Sequence, residues 1–145
     1  MKKKDHYKKL EAMYLDAPIN KFYLPGINVS EGKAEISIQV KEEFFHAADA
    51  VHGSVYFKML DDAAFFATNS IVEDVFVLTA SFEIKLLRPV SSGQLIAKGE
   101  LLKNFGNKFE ARAKMFDDEG TLIAAGSGIF VKSKKLLSEI NSFKI

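Results

Sequence analysis

The stretch HAADAVHGSVYFKMLDDAAFFATNS, residues 46–70, decides the fold of this 145-residue chain. It opens with two histidines and a glycine and continues as an apolar pattern interrupted by two adjacent acids, Asp61 and Asp62. Between Gly53 and about residue 71 there is no proline and no internal glycine, and apolar residues occupy almost the whole circumference of the predicted helix. A helix of this kind is normally buried in the middle of a structure. The two carboxylates therefore need an explanation.

The period of the apolar pattern changes to two on both sides of this helix, which predicts β-strands. Before it we expect a short amphipathic helix over 5–15, a short strand over 22–29 and a half-buried strand over 32–41. After it we expect four meandering antiparallel strands, over 75–89, 94–104, 108–116 and 121–132, and a short closing helix in 134–143. One twisted sheet wrapped around one central helix is an α+β arrangement.

Two of these strands carry further expectations. In the strand over 75–89, the even-numbered residues from Phe76 to Leu86 are predicted to share an apolar face, opposite Thr79. The last strand is apolar or small on both faces, so we expect both of its faces to be covered. A partner subunit is therefore predicted on the outer face of the sheet.

Composition narrows the class of protein. The length and the 48% of hydrophobic residues predict a single domain over residues 1–145. A net charge of +1 gives no reason to expect nucleic acid as a partner. There is no cysteine, and the spacing of the three histidines matches no metal-site pattern, so no metal is predicted. With neither a signal peptide nor an apolar run of about 18 residues, we predict a cytoplasmic enzyme or binding module with no membrane span.

The order of elements, with His52, Gly53 and Ser54 opening the helix and Asp61 two turns along it, resembles the hotdog-fold acyl-CoA thioesterases. The resemblance covers roughly 27–132 and is strongest to the phenylacetic acid degradation (PaaI-like) subgroup. The family's His-Gly-Gly, its helix acid and its tail of the form DxAxxxAxNS correspond here to HGS and LDDAAFFATNS. Its RP…G and its small-residue final strand correspond to Arg88, Pro89, Gly93 and AAGSG.

The resemblance implies hydrolysis of an acyl- or aryl-acyl-CoA thioester, with coenzyme A entering only as part of the substrate. It also implies a homodimer or a homotetramer. Thioester hydrolysis needs a polarised carbonyl and either an activated water or a carboxylate nucleophile. The helix N-terminus at Gly53 offers backbone N–H groups for the oxyanion, but Asp61 lies about 12 Å further along the helix. The resemblance therefore implies that Asp61 of one subunit acts opposite Gly53 of the other.

The alternative for the two acids is that both are solvated or paired with Lys58, which lies four residues before Asp62 on the same helix face. Even if Asp61 is catalytic, Asp62 is expected to be a surface acid or a supporting residue.

The resemblance also suggests residues around the acid. His46 stands where many relatives carry Asn and Asp49 where Gly is usual; an imidazole can donate to a carbonyl or act as a base. His52 is expected to bond near the helix start, with substrate contact as the alternative. Thr79 stands at the position of a water-holding Ser in some relatives, or is an ordinary strand residue. The coenzyme A phosphates need cations, and the candidates at strand ends or turns are Arg88, Lys103, Lys108 and Lys132.

Two other functions fit the same pattern. A hotdog-fold hydratase or dehydratase would use a catalytic His with an acid, and His46 with Asp49 or Asp61 imitates that pair, although no segment like HFPxxP precedes the helix. A non-catalytic acyl-CoA-binding protein would keep the fold without turnover. Release of free thiol distinguishes the thioesterase from both.

Overall fold

A computed structural model describes residues 2–145. Three helices and six strands follow one another along the chain, and single 3₁₀ turns lie at Glu42–Phe44 and Leu137–Glu139. The helices are α1 (Lys2–Asp16), α2 (Asn20–Tyr23) and α3 (Gly53–Asn69). The strands are β1 (Gly26–Ser30), β2 (Lys33–Gln39), β3 (Val75–Leu86), β4 (Gln94–Asn104), β5 (Lys108–Phe116) and β6 (Leu122–Leu136). No helix within residues 2–145 is long and apolar enough to cross a membrane.

The strands form one antiparallel sheet in the order β1-β2-β4-β5-β6-β3, and α3 packs against all six of them. The α+β architecture predicted from the sequence is confirmed. The helix backbone lies close to the sheet at Gly99 of β4, where an added Cβ atom would be 2.1 Å from the carbonyl oxygen of Ala63. Only glycine allows the helix backbone to lie this close to the strand.

The two ends of α3 are fixed by side chains. At the start, His52 is the N-cap, and its Nδ1 accepts a hydrogen bond from the backbone N–H of Ser54. At the end, the fully buried Asn69 side chain donates to the carbonyls of Val72 and Val75 and accepts from the N–H of Val77. The helix is therefore tied directly to the first residues of β3.

Two terminal predictions need correction. Phe22 and Tyr23 belong to the short helix α2 rather than to a strand, and β1 begins at Gly26, after Leu24 has ended the helix in a left-handed conformation. The closing helix expected in 134–143 reduces to one 3₁₀ turn. The reason is that β6 continues to Leu136 to pair with Val75 at the start of β3.

The alternation predicted for β3 is wrong in its middle. Val77 is fully buried while Leu78 is 48% exposed, and the pairing with β6 shifts register between Thr79 and Ser81. Beyond this bulge, Phe82 and Ile84 pack against the core. A bulge adds one unpaired residue to a strand, so Val77 before it and Phe82 beyond it both face the core although one number is odd and the other even.

The outer face of the sheet also differs from the prediction. It carries the charged side chains Glu83, Lys85, Lys98, Glu100, Arg112 and Lys114. Four of the exposed large apolar side chains lie along the edge strand β3 or beside it, at Phe57, Leu78, Leu86 and Leu87. Within the described chain β3 pairs only with β6, so its other edge offers unpaired backbone groups.

Candidate active site

A groove of about 370 Å³ lies along α3, between β3 on one side and the α1–α2 segment on the other. Its lining is mostly apolar and includes Met13, Ile19, Phe65, Phe66, Phe76 and Leu78. Its polar lining comprises Asp61 and Thr79 together with Tyr14, Asn20, Lys58 and Asp62. An apolar cavity with a few convergent polar groups is the usual form of a small-molecule site.

Asp61 lines this groove, and its carboxylate is bonded to a neutral hydroxyl rather than to a cation. Its Oδ1 accepts a hydrogen bond of 2.8 Å from the hydroxyl of Thr79. The pKa of Asp61 is raised to about 6, mainly by burial; the Thr79 hydrogen bond lowers it, the charge of Asp62 raises it and the charge of Lys58 lowers it. A carboxylate with such a pKa is ionised at neutral pH and is more basic than an exposed one, as a general base or nucleophile requires.

Asp62 has a different environment. Its Oδ2 accepts hydrogen bonds of 2.7 Å from both the Lys58 ammonium and the Tyr14 hydroxyl. The pairing with Lys58 that the sequence allowed for either acid is thus found for Asp62, which is tied into the protein. Asp61 and Thr79 are brought together on the other side, next to β3.

Gly53 begins α3, and its N–H has no acceptor within the helix because the first turn of a helix leaves its donors unpaired. An added Cβ atom would be 3.4 Å from Cδ1 of Leu86, so this N-terminus lies beside the end of β3. Asp61 is eight residues further along α3, or about 12 Å. One subunit does not bring the two groups together.

His46 and His52 lie together at this same helix end, with ring centroids 6.5 Å apart. Both side chains are exposed, and both Nδ1 atoms accept backbone N–H bonds, from Ala48 and Ser54 respectively. The neutral tautomer of each ring therefore carries its proton on Nε2. Asp49, between them, adopts a φ of 65°, a left-handed conformation that explains why Gly is usual at this position.

The four candidate cations divide between two ends of the sheet. Lys103, Lys108 and Lys132 lie around the β4–β5 turn, where Lys108 pairs with Val131 and Lys103 is 3.9 Å from Glu110. Arg88 follows β3 in sequence and lies beside the start of β6, where its backbone N–H donates to the carbonyl of Ile123. Nine residues of β6, or about 30 Å, separate the two groups, so one protomer does not bring all four cations together.

The model of the thioesterase superfamily matches residues 49–124, slightly more than half of the chain. This chain belongs to the thioesterase superfamily. The match includes α3 with Gly53 and Asp61, and β3 with Thr79. The family expected from the sequence is confirmed, and the chain is a thioester hydrolase.

Individual relatives agree with this family. A protein of Saccharolobus solfataricus named as a candidate esterase is 25% identical over 102 residues, which are 70% of this chain and 73% of the relative. The PaaI protein of E. coli, from the phenylacetic acid degradation operon, superposes with a TM-score of 0.84 at 18% identity, covering 92% of this chain and 97% of PaaI. A thioesterase family protein of Silicibacter pomeroyi gives 0.80 at 20% identity, covering 88% and 97%. These superpositions confirm the hotdog fold of this thioesterase.

One part of the groove of this thioesterase was not predicted from the sequence. The α1–α2 segment supplies a whole wall, including Tyr14 and Asn20, although no functional role was predicted for it. The available signals were the apolar residues among the charges of α1 and the i,i+4 spacing of Lys58 and Asp62. Neither signal indicates that these two features meet in space.

Proposed function

We propose that this thioesterase hydrolyses acyl- or aryl-acyl-CoA thioesters, with Asp61 as the general base or nucleophile. The observation that carries the proposal is the half-buried Asp61 carboxylate, held by Thr79 at 2.8 Å in an apolar groove of about 370 Å³. An apolar groove suits an acyl or aryl group, and a carboxylate within it lies beside the bond to be cleaved.

In the base mechanism, Asp61 takes a proton from water as the water oxygen attacks the thioester carbon. The carbonyl oxygen becomes an oxyanion, the carbon–sulfur bond then breaks, and the coenzyme A thiolate leaves and takes up a proton. In the nucleophilic mechanism, the Asp61 oxygen attacks the thioester carbon first, the carbon–sulfur bond breaks and the coenzyme A thiolate leaves and takes up a proton. Water then hydrolyses the resulting anhydride to the free acid and the Asp61 carboxylate. Either route needs N–H donors at the developing oxyanion, which the helix N-terminus at Gly53 offers.

A homodimer built through the free edge of β3 would complete this site. Antiparallel pairing of β3 with its copy, about an axis between Phe82 and Glu83, would bring Thr79 opposite Leu86 of the partner subunit. Since Leu86 lies against Gly53 in its own subunit, this pairing would bring Gly53 of the partner subunit toward Asp61. The unpaired edge and its exposed leucines support such pairing. Two such dimers would form a homotetramer.

The same dimer would bring the two separated groups of candidate cations for coenzyme A close together. The pairing sets Val77 opposite Arg88 of the partner subunit, and Val77 pairs with Lys132 in β6. Arg88 of the partner subunit would then lie near Lys103, Lys108 and Lys132, at the mouth of one shared site. A group of cations there would bind the coenzyme A phosphates.

The two histidines enter the proposal through their Nε2–H groups. Beside Gly53, His46 would donate to the thioester carbonyl in place of the amide of Asn. His52 would serve mainly as the N-cap, which stabilises the first turn of α3 and so fixes the position of the Gly53 N–H at the thioester carbonyl.

The test is free-thiol release from a panel of acyl-CoA thioesters, aromatic through long-chain, by the wild type and by Asp61→Asn. We expect release by the wild type and a fall of about a hundredfold or more in the variant, since general bases contribute about 10²–10⁴. Asp118→Asn, at an exposed acid in the β5–β6 turn, is the matched control and should keep full activity. Absence of release from every thioester, or full activity of Asp61→Asn, would contradict the proposal.

A further inference from the structure

A cluster of four polar side chains, here called the Lys58 clamp, joins the N-terminal helices to α3. It consists of Tyr14, Asn20, Lys58 and Asp62. The Lys58 ammonium donates to Asp62 over 2.7 Å, to Asn20 Oδ1 over 2.8 Å and to the Tyr14 hydroxyl over 3.2 Å. The Tyr14 hydroxyl donates to Asp62, and the Asn20 amide donates to the carbonyl of Tyr14.

Tyr14 and Asn20 of the clamp are buried, and the side chains of Lys58 and Asp62 are largely so. The side chain of Lys58 is 13% exposed, and its three N–H groups are matched by three acceptors from α1, α2 and α3. The ammonium also lies 4.6 Å from the ring centroid of Tyr23 and 5.0 Å from that of Tyr14. Enclosed networks of this kind hold their members in one arrangement far more strongly than exposed ion pairs do.

The segment that the clamp holds is one wall of the groove beside Asp61. Met13, Ala17 and Ile19 of this wall face the groove, and Phe76 and Leu78 of β3 face it from the other side. Burial alone does not fix the end of the wall, because Ile19 is 56% exposed. The clamp therefore contributes directly to the width of the groove.

We infer that Lys58 is a specificity-determining residue, which sets the size of the acyl group that the groove accepts by fixing the α1–α2 wall. The inference rests on the proposed function, because it takes the groove beside Asp61 as the acyl site. Lys58 acts through the wall, so it is a positioning residue. Its effect must therefore differ between small and large acyl groups.

Two variants change the groove in opposite directions. Lys58→Met removes the ammonium and keeps an unbranched stem, so the wall is released and larger acyl groups gain access. Ile19→Trp adds bulk at a half-exposed position, where the core is not disturbed, and narrows the groove. The readout is the ratio of kcat/KM for dodecanoyl-CoA to that for butanoyl-CoA. Loss of the Lys58 charge near Asp61 affects every substrate alike, so this ratio isolates the effect of the wall.

We expect the ratio to rise at least fivefold in Lys58→Met and to fall at least fivefold in Ile19→Trp. Lys8→Met removes an exposed lysine of α1 and should leave the ratio unchanged. Circular dichroism and thermal unfolding establish that each variant is folded, and if Lys58→Met is not, Tyr14→Phe decides the question, because it removes only the hydroxyl that bonds Lys58 and Asp62 and should raise the ratio in the same direction. With an active wild type, an unchanged ratio in folded Lys58→Met, or in Tyr14→Phe where Lys58→Met does not fold, would overturn the inference alone. A wild type that releases thiol from no substrate would overturn the proposed function and this inference with it.

Discussion

The hydroxyl of Thr79 donates to Oδ1 of Asp61 over 2.8 Å, and a bulge in β3 directly after Thr79 accompanies this contact. The pairing of β3 with β6 shifts between Thr79 and Ser81, so Thr79 faces α3 on one side of the bulge and Phe82 faces the core on the other. Bulges commonly re-aim side chains next to active sites. Here the bulge follows Thr79, whose hydroxyl bonds the carboxylate of Asp61 from the edge strand of the sheet.

This contact makes a prediction about pH dependence. Burial raises the pKa of Asp61, and the Thr79 hydroxyl, which stabilises the ionised form, lowers it; the pKa that results is about 6. Only the ionised carboxylate acts as a base or nucleophile, so kcat/KM of the wild type should fall below about pH 6. Thr79→Val keeps the branched shape and removes the hydroxyl, so its acid limb should move to higher pH, while Thr79→Ser should keep the wild-type limb. Identical limbs in all three proteins would show that the hydroxyl does not tune the acid.

A second prediction links this acid to stability. The native state raises the pKa of Asp61 to about 6, so at pH 7–8 the ionised side chain lowers the free energy of unfolding. Protonation removes this cost as the pH falls through 6 toward about 4. Asp61→Asn should therefore be more stable than the wild type by about 1–2 kcal/mol at pH 8, after allowance for solvent in the groove, and the difference should vanish near pH 4. Urea denaturation at both pH values measures it. If Asp61→Asn were less stable than the wild type at pH 8, burial of the ionised Asp61 carboxylate would not cost free energy of unfolding as predicted here.

A third prediction concerns the fit of α3 against the sheet. An added methyl at Gly99 would lie 2.1 Å from the Ala63 carbonyl oxygen, and neither backbone can move without displacing a strand or the central helix. Gly99→Ala should therefore cost about 3 kcal/mol or more, or prevent folding. Lys114→Ala, on the outer face of the neighbouring strand β5, should change stability by less than about 0.5 kcal/mol. Equal stability of the two variants in thermal unfolding would mean that the helix lies further from the sheet.

Much of the fold was predictable because its signals are local. The apolar circumference of α3 and the alternation in β2, β4 and β5 are properties of neighbouring residues, and they predicted the helix, the sheet and the place of Asp61 on the central helix. The bulge in β3 was not predictable, since it depends on pairing with Phe130 and Ile129 of β6. The groove wall was missed for a similar reason. It depends on the bond from Lys58 to Asn20, 38 residues away, and on that from Tyr14 to Asp62, 48 residues away.

The fourth prediction tests whether two subunits share the site. Gly53→Pro removes the N–H proposed for the oxyanion while keeping the helix, because proline suits the first helical position and His52 has the extended ψ of 144° that a following proline requires. Alone, Gly53→Pro and Asp61→Asn should each be nearly inactive. In a mixed dimer, one of the two sites takes Asp61 from one subunit and Gly53 from the other, and is intact.

Random co-assembly makes about half of the dimers mixed, so co-expression of the two variants should restore about a quarter of wild-type activity. Two different tags allow the mixed dimers to be purified and their activity to be measured directly. Co-expression of Asp61→Asn with Asp61→Ala is the control, because none of its dimers contains an intact site. If purified mixed dimers are as inactive as either parent, Asp61 and Gly53 do not act on the same thioester from different subunits. A recovered quarter would require that they do, since a site contained within one subunit is damaged in every chain present.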